Sequence, residues 1–145
     1  MKRMLFLVAS AVLLAACGGD PSDADLDEAE TAIAGGTART HVIKVGPKGS
    51  PMTFAPSSLR VKPGDTVKWV WETDFHSVTS GNGSTGKADG KFCSDVKAPS
   101  AKSCEVGPLA DTGATYSFTF KKKGTFPYFC RAHYPGGMKG SVVVR

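Results

Sequence analysis

Histidine is scarce in this sequence, with only three among 145 residues. This scarcity argues against an enzyme with several histidine-ligated metal ions, because each such ion takes two or more imidazoles. Long hydrophobic runs are also absent: the most apolar stretch, residues 4–16, is shorter than the ~20 residues that a membrane-spanning helix needs. Helical periodicity is rare and no internal repeat is present, so the expectation is a fold built from strands.

The first residues have the pattern of an export signal. Two basic residues precede the apolar residues 4–16. This stretch ends in two small residues, and Cys17 follows directly. The Leu-Ala-Ala-Cys sequence that ends there is similar to the lipobox of bacterial lipoproteins, in which the cysteine is lipidated. We therefore predict a lipoprotein signal peptide over residues 1–16 and a lipid anchor on Cys17, with a plain secretory signal as the alternative. The expected location is the periplasm or the cell surface, anchored to the membrane.

Residues 17–38 differ in composition from everything that follows. They contain six acids, no lysine, no arginine and no aromatic residue. Such a segment buries too little apolar surface to offset its ordering entropy, which predicts a flexible acidic tether. A short amphipathic helix over residues 23–33 is the alternative.

The remaining residues, 39–145, are expected to form one domain with a single core. They hold 16 Lys and Arg against seven acids, a net charge of about +9. An exported protein rarely meets nucleic acid, so an acidic protein partner or anionic lipid headgroups fit this charge better. The run of three lysines at 121–123 is interpreted as a solvated turn rather than a docking patch.

Three metal-binding side chains occur within nine residues near the end of the chain. Cys130, His133 and Met138 follow the spacing Cys-x2-His-x4-Met. A thiolate, imidazoles and a weak axial thioether are the donors of a mononuclear electron-transfer copper site. The set lacks one imidazole, which His41 or His76 must supply through the fold.

The other cysteines are accounted for by elimination. With Cys17 assigned to lipid and Cys130 to metal, Cys93 and Cys104 remain. Export implies an oxidising compartment, so these two are predicted to form a disulfide, which contributes about 3 kcal/mol in the chain-entropy model. A second metal site on this pair lacks nearby histidines.

Short alternating segments between Pro/Gly turns predict a two-sheet antiparallel β-sandwich. Within residues 66–71, Val67, Trp69 and Trp71 share one face. Pro127 indicates an edge strand or a bulge. Residues 80–112, rich in Gly, Ser, Lys and Asp, are expected to form a long loop stapled by the disulfide. The predicted strands are 41–45, 59–62, 66–71, 115–120, 125–130 and 141–145.

Three segments together resemble the cupredoxins, the type 1 blue copper proteins, and in particular plastocyanins and pseudoazurins. They are residues 59–69, residues 75–78 with the sequence Phe-His-Ser-Val, and residues 128–140. The resemblance implies a Greek-key sandwich that holds one copper ion, which cycles between cuprous and cupric states. It assigns the ligands His76, Cys130, His133 and Met138, and leaves His41 as an ordinary strand residue.

The chain departs from the plastocyanin pattern beside two ligands. Ser77 stands where plastocyanins commonly have Asn, and we expect its side chain to brace the two ligand segments. Ala132 stands where they have Pro, and its N–H is expected to donate to the Cys130 sulfur and raise the reduction potential. The resemblance implies that electrons pass at the edge of His133, flanked by Tyr134 and Pro135.

The leading functional interpretation is a monomeric, membrane-tethered electron carrier, not an enzyme. Its partners would be redox proteins, such as cytochromes or respiratory or photosynthetic complexes, with acidic docking surfaces. Copper storage or delivery is a second class, although four donors close the site. A copper oxidase or nitrite reductase needs further histidines, and only His41 is spare. A fourth alternative is an Ig-like adhesion domain in which the four residues are structural.

Overall fold

The computed structural model describes residues 37–94 and 99–145. The predicted signal peptide, Cys17 and nearly all of the predicted tether lie outside the described residues. Nine strands, one short α-helix and one 3-10 helix occur in the described part. They are β1 Thr40–Val45, β2 Phe54–Ala55, β3 Ser58–Val61, β4 Thr66–Trp71, β5 Thr79–Asn82, β6 Lys87–Cys93, α1 Ala101–Val106, β7 Thr115–Thr119, β8 Gly124–Phe129, the 3-10 helix Tyr134–Gly136, and β9 Lys139–Val144.

The strands form two sheets, and the predicted sandwich is confirmed. One sheet has the order β2-β1-β4-β7 and the other β3-β9-β8-β5-β6. Both are mixed rather than antiparallel, because β1 pairs parallel with β4 and β3 pairs parallel with β9. Between β1 and β4 the chain crosses to the second sheet to form β3, so it returns in the same direction. Alternation in the sequence reports which face of a strand is buried and not the direction of its neighbour.

Strand β4 shows how the sequence pattern produces the core. Val67, Trp69 and Trp71 are buried, as predicted, and alternate with partly exposed residues. The Trp69 ring stacks against Phe92 and Tyr116, with ring centroids 5.7 and 5.6 Å apart. The contact with Phe92 on β6 joins the inner faces of the two sheets.

The prediction of a long loop over residues 80–112 is wrong. This part of the chain contributes the hairpin β5–β6 and the helix α1. Gly90 is required by this packing: its φ is +72°, and a Cβ there would clash with the backbone nitrogen of Ala101 at the start of α1. The predicted disulfide is confirmed, since Cys93 and Cys104 are joined with an S–S distance of 2.01 Å.

Pro127 does not lie on an edge strand, contrary to one of the two predictions for it. Strand β8 lies between β9 and β5. Its pairing with β5 covers Tyr128 and Phe129 and ends before Pro127. The missing N–H of proline therefore removes no hydrogen bond from the β5 side of the ladder.

The parallel strands β1 and β4 give the sandwich two distinct ends. At the starting end, Asp65 accepts hydrogen bonds from the N–H groups of Arg39 and Lys62, at 2.9 and 3.0 Å. His41 is 2.9 Å from the same carboxylate, so the third histidine has a structural partner there. The other end carries the segment that contains His76. Among the described residues, no helix has both the length and the apolar character needed to cross a bilayer.

The Asp65 carboxylate makes the stability of the domain depend on pH. The Lys62 N–H, followed by the Arg39 N–H and the His41 side chain, lowers the pKa of Asp65 from 3.8 to about 2. A lowered pKa stabilises the fold above the unfolded value, and this contribution is lost as the pH falls through about 2. We expect Asp65→Asn to destabilise the domain at neutral pH and to flatten the stability profile below pH 3.8.

Urea unfolding of the copper-free protein across this pH range measures the effect. Asp111→Asn, at an exposed carboxylate, is the matched control and should keep the wild-type profile. Parallel profiles for wild type and Asp65→Asn would contradict the role of the carboxylate.

Candidate metal centre

The segment Cys130–Met138 forms a loop that closes on itself. The Cys130 N–H donates to Met138 O at 3.1 Å, and the Met138 N–H donates to His133 O at 3.2 Å. The His133 N–H donates in turn to Cys130 O at 3.1 Å. Gly137 takes φ +92°, a left-handed conformation that favours glycine, at the end of the 3-10 helix. These bonds bury Cys130 and Met138 completely, with His133 half-buried beside them.

His76 reaches this loop from the end of β4. Its backbone forms a two-way bridge with Ala110, in which each N–H donates to the other carbonyl at 3.1 and 2.8 Å. The Trp71 indole N–H also donates to His76 O at 3.0 Å. The chain therefore fixes the backbone of His76 on two sides.

The donor atoms of three predicted ligands converge. His76 Nδ1 and His133 Nδ1 are 3.1 Å apart, and Cys130 Sγ is 3.7 and 3.4 Å from them. For metal–nitrogen bonds of about 2.1 Å, three donors in a trigonal plane stand about 3.6 Å apart. The three residues therefore fit a metal ion in their midst. The buried Met138 closes the base of the loop, which agrees with the thioether that an electron-transfer copper site uses as its weak fourth donor.

Thr73 orients the His76 ring, and the sequence reasoning missed it. Its hydroxyl donates to Gly46 O at 2.9 Å and lies 3.0 Å from His76 Nε2. The hydroxyl hydrogen is used on Gly46, so the oxygen accepts from Nε2–H and leaves Nδ1 free for a metal. Gly46 allows this approach, because a Cβ there would lie 2.6 Å from Nε2.

The environment of His76 favours the neutral ring that a metal requires. Burial lowers the pKa of His76 below 6.5, and the neighbouring His133 lowers it further. Asp74 opposes both effects, but its carboxylate is held by the Thr112 N–H at 2.7 Å. A neutral imidazole beside a buried sulfur is the protonation state that a metal ligand needs.

Ser77 connects the two segments that carry the converging side chains. Its Oγ accepts from the Arg131 N–H at 3.0 Å, which is the bracing contact expected from the sequence. Its own N–H points to Cys130 Sγ at 3.4 Å. The N–H group on the sulfur is thus that of Ser77, and the expected donation from Ala132 does not occur among the described contacts. Ala132 lies exposed on the loop.

The remaining predicted residues lie where the loop meets solvent. Tyr134 is half-buried, with its ring edge-on to Phe129 at 5.6 Å, and Pro135 is exposed. Two apolar side chains that the sequence analysis did not single out also lie at this end. Phe75, next to His76, is 66% exposed, and Met52, whose Cε would lie 3.5 Å from a Cβ on Gly136, is 43% exposed. They add exposed apolar surface to the end of the sandwich that carries the ligand loop.

The chain is similar to plastocyanins and to a halocyanin. A plastocyanin from Scenedesmus fuscus is 32% identical over 71% of this chain and 97% of its own length. A halocyanin from Natronomonas pharaonis is 30% identical over 71% of this chain and 55% of its own length. Among solved structures, a purple cupredoxin from Nitrosopumilus maritimus covers 74% of this chain and 99% of its own, with a TM-score of 0.52 and 22% identity, and supports the fold alone.

The match to a protein family covers nearly the whole described part of the chain. Residues 40–145 fit the family model described as copper binding proteins, plastocyanin/azurin family. This range contains all four residues of the predicted copper site, and copper accounts for the donor set described above. The chain therefore belongs to the plastocyanin/azurin family of copper-binding proteins, the cupredoxins, and membership implies copper electron transfer as its activity.

Proposed function

We propose that the protein carries single electrons with one type 1 copper ion held by His76, Cys130, His133 and Met138. The observation that supports this most directly is the mutual spacing of 3.1–3.7 Å among the two Nδ1 atoms and Sγ. Copper, when bound, supplies a one-electron couple between its cuprous and cupric states.

The protein contributes ligands that are already in place. Cys130 and His76 are buried; the Ser77 N–H points to Cys130 Sγ, and the Thr73 hydroxyl oxygen accepts from His76 Nε2–H, which fixes the ring with Nδ1 towards the site. A frame of this kind resists rearrangement, so both oxidation states share one geometry and electron transfer requires little reorganisation. Four donors leave no open position for a substrate, and His41 is occupied by Asp65, which favours a carrier over an enzyme.

Copper binding tests this proposal. We expect cupric ion to bind in a one-to-one ratio and to produce the intense visible absorption of a copper–thiolate bond, with a reversible one-electron wave in voltammetry. His76→Gln and Cys130→Ser should each abolish the absorption. His41→Gln, which changes the histidine at the opposite end of the sandwich, should retain it.

Three results would count against the carrier. Loss of the absorption in His41→Gln would mean that copper binding depends on the opposite end of the sandwich. Full absorption in His76→Gln would remove that ligand from the set. Copper that binds without a reversible wave would favour storage or delivery.

The proposed port for electrons is the edge of His133. His133 and Tyr134 are half-buried, and Pro135, Phe75 and Met52 lie exposed around the same end of the sandwich. A small apolar surface beside a partly exposed ligand suits short encounters, because the electron can leave through the imidazole without a large interface.

The proposed partners are redox proteins with acidic docking surfaces, met by a monomer of this chain. Residues 39–145 carry a net charge of about +9, which speeds encounter with an oppositely charged protein more than it strengthens the complex. The same charge makes two copies of the domain repel each other.

Rates of electron exchange with an acidic and a basic cytochrome test the port and the partner together. We expect faster transfer to the acidic partner, with a rate that falls as ionic strength rises. Phe75→Asn should slow this transfer several-fold at an unchanged potential, and Asn tolerates the φ of +64° at this position. Val42→Thr, at a side chain that is 53% exposed on β1, is the matched control.

Equal rates for Phe75→Asn and wild type would exclude Phe75 from the docking surface. A rate to the acidic partner that does not depend on salt would contradict the electrostatic part of the proposal.

The proposed location is the periplasm or the cell surface, with the chain anchored through lipidated Cys17. The support is the sequence: an apolar stretch over residues 4–16 that ends in Leu-Ala-Ala and is followed directly by Cys17. Bacterial lipoproteins carry two or more acyl chains, enough for stable attachment to a bilayer.

Cys17→Ser tests the anchor. Expressed in a bacterium, the wild-type protein should fractionate with membranes, and mass spectrometry should find acyl chains on its N-terminal cysteine. The variant should be released from membranes while its copper absorption is preserved. An unmodified Cys17 in the exported wild-type protein would point to a plain secretory signal.

A further inference from the structure

Arg131 links the ligand loop to the chain that follows α1. This residue comes directly after Cys130, and its guanidinium donates to Gly107 O and to Pro108 O, the latter at 2.9 Å. Its backbone N–H donates to Ser77 Oγ. Hydrogen bonds from a charged donor are stronger than neutral ones. Arg131 therefore contacts the segment after α1 and the His76–Ser77 segment at the same time.

The chain that Arg131 holds is also bonded to His76. Two residues after Pro108, Ala110 exchanges both backbone hydrogen bonds with His76. Further along, the Thr112 N–H donates to Asp74 Oδ1 at 2.7 Å. The His76 segment is therefore paired with residues 108–112, the same stretch of chain that Arg131 joins to the ligand loop.

The other end of this stretch is attached to β6 by the disulfide. Cys104 lies in α1 and Cys93 ends β6, and both are buried. The residue after Cys93, Ser94, donates its N–H to Val78 O at 2.9 Å and accepts from the Val78 N–H at 3.0 Å. Because Val78 is two residues from His76, the disulfide-linked chain returns to the His76 segment from both sides.

We propose that Arg131 is a positioning residue for the metal centre. Together with residues 99–110, which the Cys93–Cys104 disulfide attaches to β6, it holds His76 at a set distance from Cys130. The guanidinium acts on the copper through the backbone of Gly107–Ala110 and the paired His76, without touching a donor atom. This inference rests on the proposed copper role of His76 and Cys130.

Amide hydrogen exchange in the copper-free protein tests the link without the metal. Loss of hydrogen bonds from a charged donor should speed exchange of the His76 and Ala110 N–H groups by about tenfold in Arg131→Met. Amides of β1 and β4 report global stability and should not change in proportion. Lys139→Met, which removes another cation near the loop, is the matched control, since its ammonium contacts only Ser84 Oγ at 3.4 Å among the described contacts.

The copper form provides a second readout that a purely structural role would not move. In Arg131→Met we expect a changed ratio of the visible absorption bands and a shifted reduction potential, with a smaller potential shift and unchanged bands in Lys139→Met. Removal of charge alone would give similar potential shifts and unchanged bands in both variants, and that result would overturn the inference.

A double-mutant cycle with the disulfide connects the two parts of the proposal. Cys93→Ala/Cys104→Ala should speed exchange at His76 and Ala110, and Arg131→Met should add little in that background, because the carbonyls it held are already less restrained. Independent, additive effects would separate Arg131 from the disulfide and refute the coupling.

Two further outcomes are decisive. If the cysteine-free variant does not fold, Arg131→Met alone decides, and unchanged exchange at His76 and Ala110 would overturn the inference. A wild-type protein that forms no copper–thiolate absorption would instead defeat the proposed function, while the exchange data in the copper-free protein would still report on the link.

Discussion

Ser77 makes the contact on which the geometry of the metal centre depends. Its N–H points to the Cys130 sulfur and its Oγ accepts from the Arg131 N–H, so one residue joins the His76 segment to the ligand loop. The two segments are more than 50 residues apart in the chain, as the separations of 53 and 54 show. Without this direct tie, the imidazole and the thiolate would be linked only through the strands of the sandwich and through the chain after α1 that Arg131 contacts. The self-closed loop from Cys130 to Met138 then places the other donors relative to that sulfur.

Charge acts differently at the metal centre and over the rest of the domain. At the metal centre, burial and a neighbouring histidine lower the pKa of His76, which keeps the ring neutral and available as a donor. Over the surface, 16 basic residues against seven acids leave a strong positive charge. In the proposed function, the positive surface would attract an acidic partner over a distance, while electron transfer itself would depend on short contacts around His133.

The region between β5 and β7 shows where sequence patterns were insufficient. Residues 80–112 have few apolar side chains, and a loop was the natural prediction. In the structure Ala88, Cys93 and Cys104 form a small cluster of their own, and Gly90 lets α1 approach β6. The disulfide was predictable by elimination, but its consequence was not. It attaches the chain after α1 to the strands, and this chain then pairs with His76 and with Arg131.

The sequence by itself determined the donor types, their spacing in the loop, the buried faces of the strands and the pairing of the two leftover cysteines. Each of these features follows from local periodicity or from the chemistry of a few residue types. None of them depends on contacts between residues that are distant in the chain. The tertiary structure alone decided the parallel pairings of the strands and the support of His76 by Thr73 and Ala110. It also decided that the N–H group on the sulfur is that of Ser77 and not that of Ala132, and that Phe75 is exposed. These are contacts between residues distant in the chain or consequences of packing, and no local pattern encodes which backbone group arrives beside a given atom.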